Sequence, residues 1–259
     1  MLPTINMLWI GGALGYLEQL SATSFLAAGH RVMLHAYGPV ANVPVGVELA
    51  DAGELMPTAA MHKLRHQATS SHALASDFFR FRLQREGKGI WADIDVICLS
   101  PIEIDAPVIL GWESEHYVNG AVMYLERNSE VLSDAIAAFR PNSVPDWVPP
   151  IQAMRFQVKK AFGRPFGPAD LPRGTFGPKA LTALLRRHRL TMFAQPTEVF
   201  YPLHPRHARV VFEPETTMAA FLTENTKTVH LWNEKLGELK SRRPPSTSAL
   251  GRLLKNFGI

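Results

Sequence analysis

Two aspartates, Asp93 and Asp95, stand one residue apart in the otherwise apolar run GIWADIDVICLS, residues 89–100. A buried carboxylate without a partner is costly, and two together are worse. If a strand continues through them, its period of two sets both side chains on one side, about 6 to 7 Å apart. A hard divalent cation, Mn2+ or Mg2+, relieves that repulsion. Such ions take oxygen ligands and, held by few protein groups, keep positions open for phosphate oxygens. Strand ends are also where α/β proteins place ligands. The alternative is a strand that stops at residue 92, with both acids in a solvated loop. Asp-x-Asp alone does not decide between the two.

The segment before the acids carries ASDFFRF, in which Asp77 and Arg80 are three apart and share a helical face. Alone, this is a surface ion pair of small energetic value. Yet Gly87 and Gly89 turn the chain from this helix straight into the Asp93 strand, so pair and acids are tied by a tight connection. Trp9, on an apolar strand, and His230, two residues before Trp232, read as core residues when taken singly. His62, His66, His72, His204 and His207 lie in no ligand spacing. Cys98 is the only cysteine. That excludes an intrachain disulfide and a multi-cysteine zinc site, and with Ile97 and Leu99 beside it the thiol reads as buried and inert.

The elements that must position these residues follow from periodicity. TINMLWIGG is a short strand, LGYLEQLSATSFLAAGH a helix stopped by Gly29, and RVMLHAYG a second strand. This order predicts a right-handed βαβ unit and a parallel sheet. Residues 72–86 form a helix, GIWADIDVICL the next strand, and APVILGWE and NGAVMYLE two more. SEVLSDAIAAF and PKALTALLRRHR are helices, the second with a basic last turn. Residues 140–150 are a proline-rich loop. KTVHLWNEK is a late strand or strand end, and SRRPPSTS is a linker.

The chain has 259 residues, 46% hydrophobic and 19% charged, which is globular composition with ample material for one α/β domain. No run of about 18 apolar residues predicts a membrane span. The N-terminus lacks a signal-peptide pattern, so a cytoplasmic setting is expected. A formal charge of +4 favours anionic small partners. The cations are scattered without a nucleic-acid motif, so no nucleic-acid partner is expected. The expected division is a domain over residues 1–240 and a basic tail over 241–259. That tail, ending ALGRLLKNFGI, is a candidate for peripheral contact with the anionic inner face of a membrane; the plain alternative is a terminal helix packed on the domain.

The block ASDFFRFRLQREGKGIWADIDVICLSP resembles the central signature of the DXD sugar-binding glycosyltransferase family. That family includes bacterial polysaccharide glycosyltransferases, yeast-type α-1,6-mannosyltransferases and the catalytic domains of clostridial glucosylating toxins. Its signature is Ser-Asp-x-x-Arg, a hydrophobic helix turn, Gly-Gly, Ile-Tyr and Asp-x-Asp. Here it is Ser76, Asp77, Arg80, Gly89, Ile90, Trp91, Asp93 and Asp95. Lys88 replaces the first of the paired glycines, which implies that position 88 needs no positive φ. Weaker blocks follow in the family's order: LWIGG with Trp9, NGAVMYLE with Asn119, TFGPKALTALL with Gly177, Pro178 and Thr182, and HLWNE at 230–234.

The resemblance implies a GT-A fold, a Rossmann-like mixed sheet flanked by helices. It implies transfer of a sugar, with retained configuration, from a nucleoside diphosphate sugar to a glycan or glycolipid acceptor in surface polysaccharide or glycolipid synthesis. By the same resemblance Asp93, Asp95 and His230 hold Mn2+ or Mg2+. Trp9 stacks on the nucleotide base, Asp77, Arg80 and Asn119 face the donor sugar, and Trp232 or Lys235 touches the diphosphate. Two rivals remain. A haloacid dehalogenase-type phosphohydrolase also begins with Asp-x-Asp, but needs a later acidic pair that the sequence lacks. A non-catalytic sugar-nucleotide-binding module would keep the fold without turnover.

Overall fold

The computed structural model describes residues 1–65 and 71–259. In chain order the strands are β1 (Ile5–Trp9), β2 (Val32–Ala36), β3 (Val47–Asp51), β4 (Ile90–Ala92), β5 (Val96–Cys98), β6 (Val108–Trp112), β7 (Val118–Leu125) and β8 (Thr228–His230). The helices are α1 (Tyr16–Ala27), α2 (Thr58–Lys63), α3 (Ala73–Arg85), α4 (Glu130–Ala137), α5 (Pro150–Ala161), α6 (Pro178–Arg187), α7 (Thr197–Phe200), α8 (Asn233–Leu236) and α9 (Ala249–Asn256). Six strands form one sheet in the order β3-β2-β1-β4-β7-β6. Its first four strands are parallel and the last two run antiparallel to their neighbours. The fold is α/β, a mixed sheet flanked by helices.

The βαβ unit forms as expected, since β1 and β2 pair in parallel across α1. Strand alternation then separates two apolar layers. Trp91 faces the layer built with Phe79 and Phe81 of α3, Leu132 of α4 and Leu184 of α6. Its neighbours Ile90 and Ala92 face the opposite layer with Phe25 of α1. A third apolar cluster lies under a separate two-stranded sheet, β5 with β8.

The run GIWADIDVICL is not one strand. β4 ends at Ala92 in the large sheet, and β5 begins at Val96 in the small one. Asp93 and Asp95 therefore do not alternate along a single strand face; they occupy the crossing turn, which Val96 N–H closes by donating to Asp93 C=O at 3.1 Å. The turn is not a solvated loop either, because Asp95 is buried. The reason is local demand: two carboxylates cannot continue into the apolar layers, and the turn lets each reach a different set of donors.

The connection from α3 into β4 explains the glycines. Gly87 has φ 65° just past the helix end, the usual αL stop. Lys88 is absent from the residues with positive φ, so its side chain costs nothing there. Gly89 has φ 111°, and a Cβ there would lie 2.4 Å from Thr4 C=O. That carbonyl instead accepts from Ile90 N–H at 2.9 Å. Asn6 secures the same turn by donating to Lys88 C=O at 2.9 Å, while its Oδ1 lies 3.0 Å from His35 Nε2. Gly89→Ala combines a strained φ with a backbone clash, so it should lower stability by about 2 kcal/mol or more in urea unfolding. A loss within experimental error would contradict this close approach.

The last residues join the third cluster: Ala249, Leu250 and Leu254 are buried there, and Arg243 Nη1 donates to Ile259 C=O at 2.9 Å. The apolar side of α9 thus faces the domain. Leu250→Ala should cost about 2–4 kcal/mol, read as a lower urea midpoint; no shift would mean that the helix does not pack.

Candidate active site

Arg80 organises the first half of the site. It lies on α3 and is buried. Its Nη1 donates to Gly120 C=O at 2.8 Å. Its Nη2 lies 3.1 Å from Asp93 Oδ1 and 3.5 Å from Asp77 Oδ1. The guanidinium also sits over the Trp91 ring, 5.2 Å from its centroid. Gly120 permits this approach: a Cβ there would be 3.0 Å from Arg80 Nη1 and 2.7 Å from Leu181 Cδ1. Asp93 Oδ1 also accepts from Trp91 Nε1 at 2.7 Å, while Oδ2 takes no hydrogen bond from the described residues. Trp91 is therefore a donor to the first acid.

The second half comes from the other end of the chain. β8 pairs with β5 so that His230 sits opposite Val96. Asp95 Oδ1 lies 3.2 Å from His230 Nε2, and Asp95 Oδ2 accepts from Asn233 N–H at 2.8 Å. Burial disfavours the charged form of each partner, yet their mutual attraction outweighs it. Asp95 is held below the usual carboxylate range and His230 above the usual imidazole value. His230 Nδ1 is buried with no hydrogen-bond partner among the described residues.

Asp93, Asp95 and His230 thus meet, with one ligand atom from each within 4.8 Å of the others. Two carboxylates and an imidazole are a donor set able to hold a divalent metal ion. The three residues named from sequence as ligands fit that group.

The other expected residues fall around the same point. Trp9, Asp77, Arg80, Asp93, Asp95 and Asn233 share one cavity of about 440 Å³. The Trp9 indole nitrogen is buried without a hydrogen-bond partner among the described residues. A neighbouring cavity of about 280 Å³ joins Asp77, Arg80, Asn119 and His230 to the chain segment 168–178. An ion pair between Arg173 and Glu234 links that segment to α8. Lys235 lines the cleft with Asp93 and Asp95 and has no acidic ion-pair partner among the described residues. Trp232 stacks on His230 at 4.0 Å between centroids, with φ 56°. Its indole N–H donates to Leu203 C=O at 2.7 Å, so that group is already used.

Two residues had no sequence signal, and a third, Asn233, lay only within the weak HLWNE block. Glu113 lines the cleft with Asp93, Asp95 and Lys235. Its Oε2 accepts from Asn119 Nδ2 at 2.6 Å, and burial pushes its carboxyl above the usual range. Tyr201, fully buried behind His230, accepts from Val122 N–H at 3.0 Å and holds β7. Asn233 supplies the backbone donor to Asp95. None lies in a periodic or spaced pattern with the acids, and only the folded chain brings them together.

Residues 173–257 match a family described as the alpha 1,4-glycosyltransferase conserved region. The segment contains His230, Trp232, Asn233 and Lys235 and runs through α9. The match assigns this part of the chain to a glycosyltransferase enzyme. Comparison with curated proteins returns no match. Among solved structures, the chain is similar to a PaToxG glycosyltransferase at 12% identity and a TM-score of 0.45, covering 72% of this chain and 69% of that one.

Burial pushes the Asp77 carboxyl up to about 6, against the pull of Arg80 and with a further push from Asp93. A raised carboxyl favours folding while protonated, so that contribution is lost as pH rises from about 4 through 6. Asp77→Asn should therefore be stabilised relative to wild type at pH 8 by up to about 3 kcal/mol more than at pH 4. Urea unfolding at both pH values checks this, and a difference that does not change with pH would contradict it.

Proposed function

We propose that this protein is a metal-dependent, retaining glycosyltransferase of the DXD sugar-binding kind, GT-A in fold. It would transfer a sugar from a nucleoside diphosphate sugar to a hydroxyl of a glycan or glycolipid acceptor, in cytoplasmic synthesis of a surface polysaccharide or glycolipid. The observation that carries this reading is the meeting of Asp93, Asp95 and His230, from distant parts of the chain, in a cleft whose other wall is the Asp77–Arg80 pair. The glycosyltransferase match over residues 173–257 supports it.

In this reading Asp93, Asp95 and His230 hold Mn2+ or Mg2+, which when bound supplies Lewis acidity toward a diphosphate leaving group. Arg80 and Trp91 fix one oxygen of Asp93, leaving the other to face the cation. Asn233 N–H holds Asp95 Oδ2, so that Oδ1 stays on the His230 side. Trp9 offers an indole face for the nucleotide base. Asp77 and Arg80 orient the donor sugar, with Asn119 beside them. Lys235 adds positive charge for the diphosphate. Glu113, restrained by Asn119, faces the same cleft on its open side. The chain then needs no nucleophile, because a departing phosphate oxygen takes the acceptor proton on the same face. Residues 1–240 form the transferase domain, with 241–259 laid against it.

A phosphohydrolase is disfavoured by the third member of the group, a histidine where that chemistry calls for further acids. A binding module is separated by turnover. Thermal unfolding with UDP or GDP, with and without Mn2+, tests the donor site. A nucleotide at about 100 times its dissociation constant should add roughly 2.7 kcal/mol. The gain should require Mn2+ and vanish in Asp95→Asn. No gain for either nucleotide with the metal would remove the donor-site reading.

A further inference from the structure

Helix α5 presents its apolar side outward. Ile151, Met154, Val158 and Phe162, the last at the helix C-cap, are 84%, 60%, 50% and 78% exposed. At about 100° per residue these positions fall within a single stripe roughly 80° wide. Ala153 and Phe156 lie on the opposite side, are buried, and anchor the helix, with Phe156 packed on Phe166 at 5.2 Å between centroids. Four large apolar side chains aligned on the solvent side of one helix are not the scattered exposure of an ordinary surface.

The charges around the stripe are of one sign. Arg155, Lys159, Lys160 and Arg164 lie in or just beyond the helix, and no acid occurs between Asp146 and Asp170. None of the four cations has an ion-pair partner among the described residues. Arg155 and Lys159 flank the stripe on one edge, and both also sit over the Phe156 ring, at 6.0 and 5.6 Å. A protein interface of this apolar character would ordinarily bring acidic partners to such cations; a bilayer carrying anionic headgroups supplies both an apolar layer and the opposing charge.

We propose that α5 docks this protein on an anionic membrane surface, with Ile151, Met154, Val158 and Phe162 seated below the headgroups and the four cations among them. The basic C-terminal segment is a poorer anchor, because α9 turns Leu250 and Leu254 into the domain. The chain that follows α5, residues 168–178, forms a wall of the cavity beside Asp77 and Arg80. A docked helix therefore brings the rim of the cleft to the bilayer. This inference stands apart from the reaction assigned to the site.

The test is co-sedimentation of the full-length protein with vesicles of phosphatidylcholine alone and with 30% phosphatidylglycerol. Binding is expected only to the anionic vesicles and should weaken with salt. Replacing Ile151, Met154, Val158 and Phe162 together by Gln should reduce it by roughly tenfold or more, with an unchanged melting temperature because all four are exposed. Reversing Arg155 and Lys159 to Glu should reduce it by at least about fivefold per site. Three results would overturn the proposal. The protein does not bind anionic vesicles. Binding persists in the Gln variant but is lost on replacing Arg242 and Arg243. Or sedimentation velocity shows a dimer that the Gln variant abolishes, which would make the stripe a contact between copies of this chain.

Discussion

A single buried guanidinium holds the site in register. Arg80 reaches from a helix on one face of the sheet to a backbone carbonyl on β7, to the first acid of the crossing turn and to a second acid on its own helix. A buried cation left without partners is strongly unfavourable, so these contacts form together or not at all. The tight glycine turn between α3 and β4 sets the distance over which Arg80 must work. Asn6 and His35 support that turn from beneath. The geometry of Asp93 thus depends on residues that touch no ligand.

The second constraint is the break between β4 and β5. By leaving one sheet for another, the chain converts a run of strand-like sequence into a turn with two differently held acids. Asp93 belongs to the Arg80 side. Asp95 belongs to the strand pair β5–β8, whose register delivers His230 to it from 135 residues further along the chain. The candidate cation site lies at the seam between two sheets, and each sheet contributes to it through a different electrostatic partnership. Asp77 illustrates the energetic side of this arrangement: a partly buried carboxyl on the cleft wall, costly when ionised because desolvation opposes its charge.

The surface divides its tasks in a similar way. Both α5 and α9 are amphipathic and basic, yet one packs its apolar side inward and the other leaves it outside. The sign of charge is the same; the direction of the apolar stripe relative to the core sets them apart.

Much of this was legible in the residues alone. The alternation of strands and helices determined the α/β class, because periods of 2 and 3.6 are local properties. Asp77, Arg80, Asp93 and Asp95 stood out through the family signature they resemble, since their types and spacing alone left a plain ion pair and a loop as alternatives, and the glycines marked the turn before the acids. Lys88 signalled correctly that its position has an ordinary φ. The sequence could not tell that the strand breaks at Ala92, since Val96, Ile97 and Cys98 are as strand-prone as the residues before the acids; only pairing with β8 takes them to another sheet. Glu113 and Tyr201 were invisible because their roles rest on contacts across long separations, which leave no periodic trace; Asn233 lay within the HLWNE block, but its backbone donation to Asp95 was not readable there. The orientation of α5 and α9 was likewise decided by the tertiary structure. An amphipathic pattern says that a helix has two sides, and only packing says which of them meets the core.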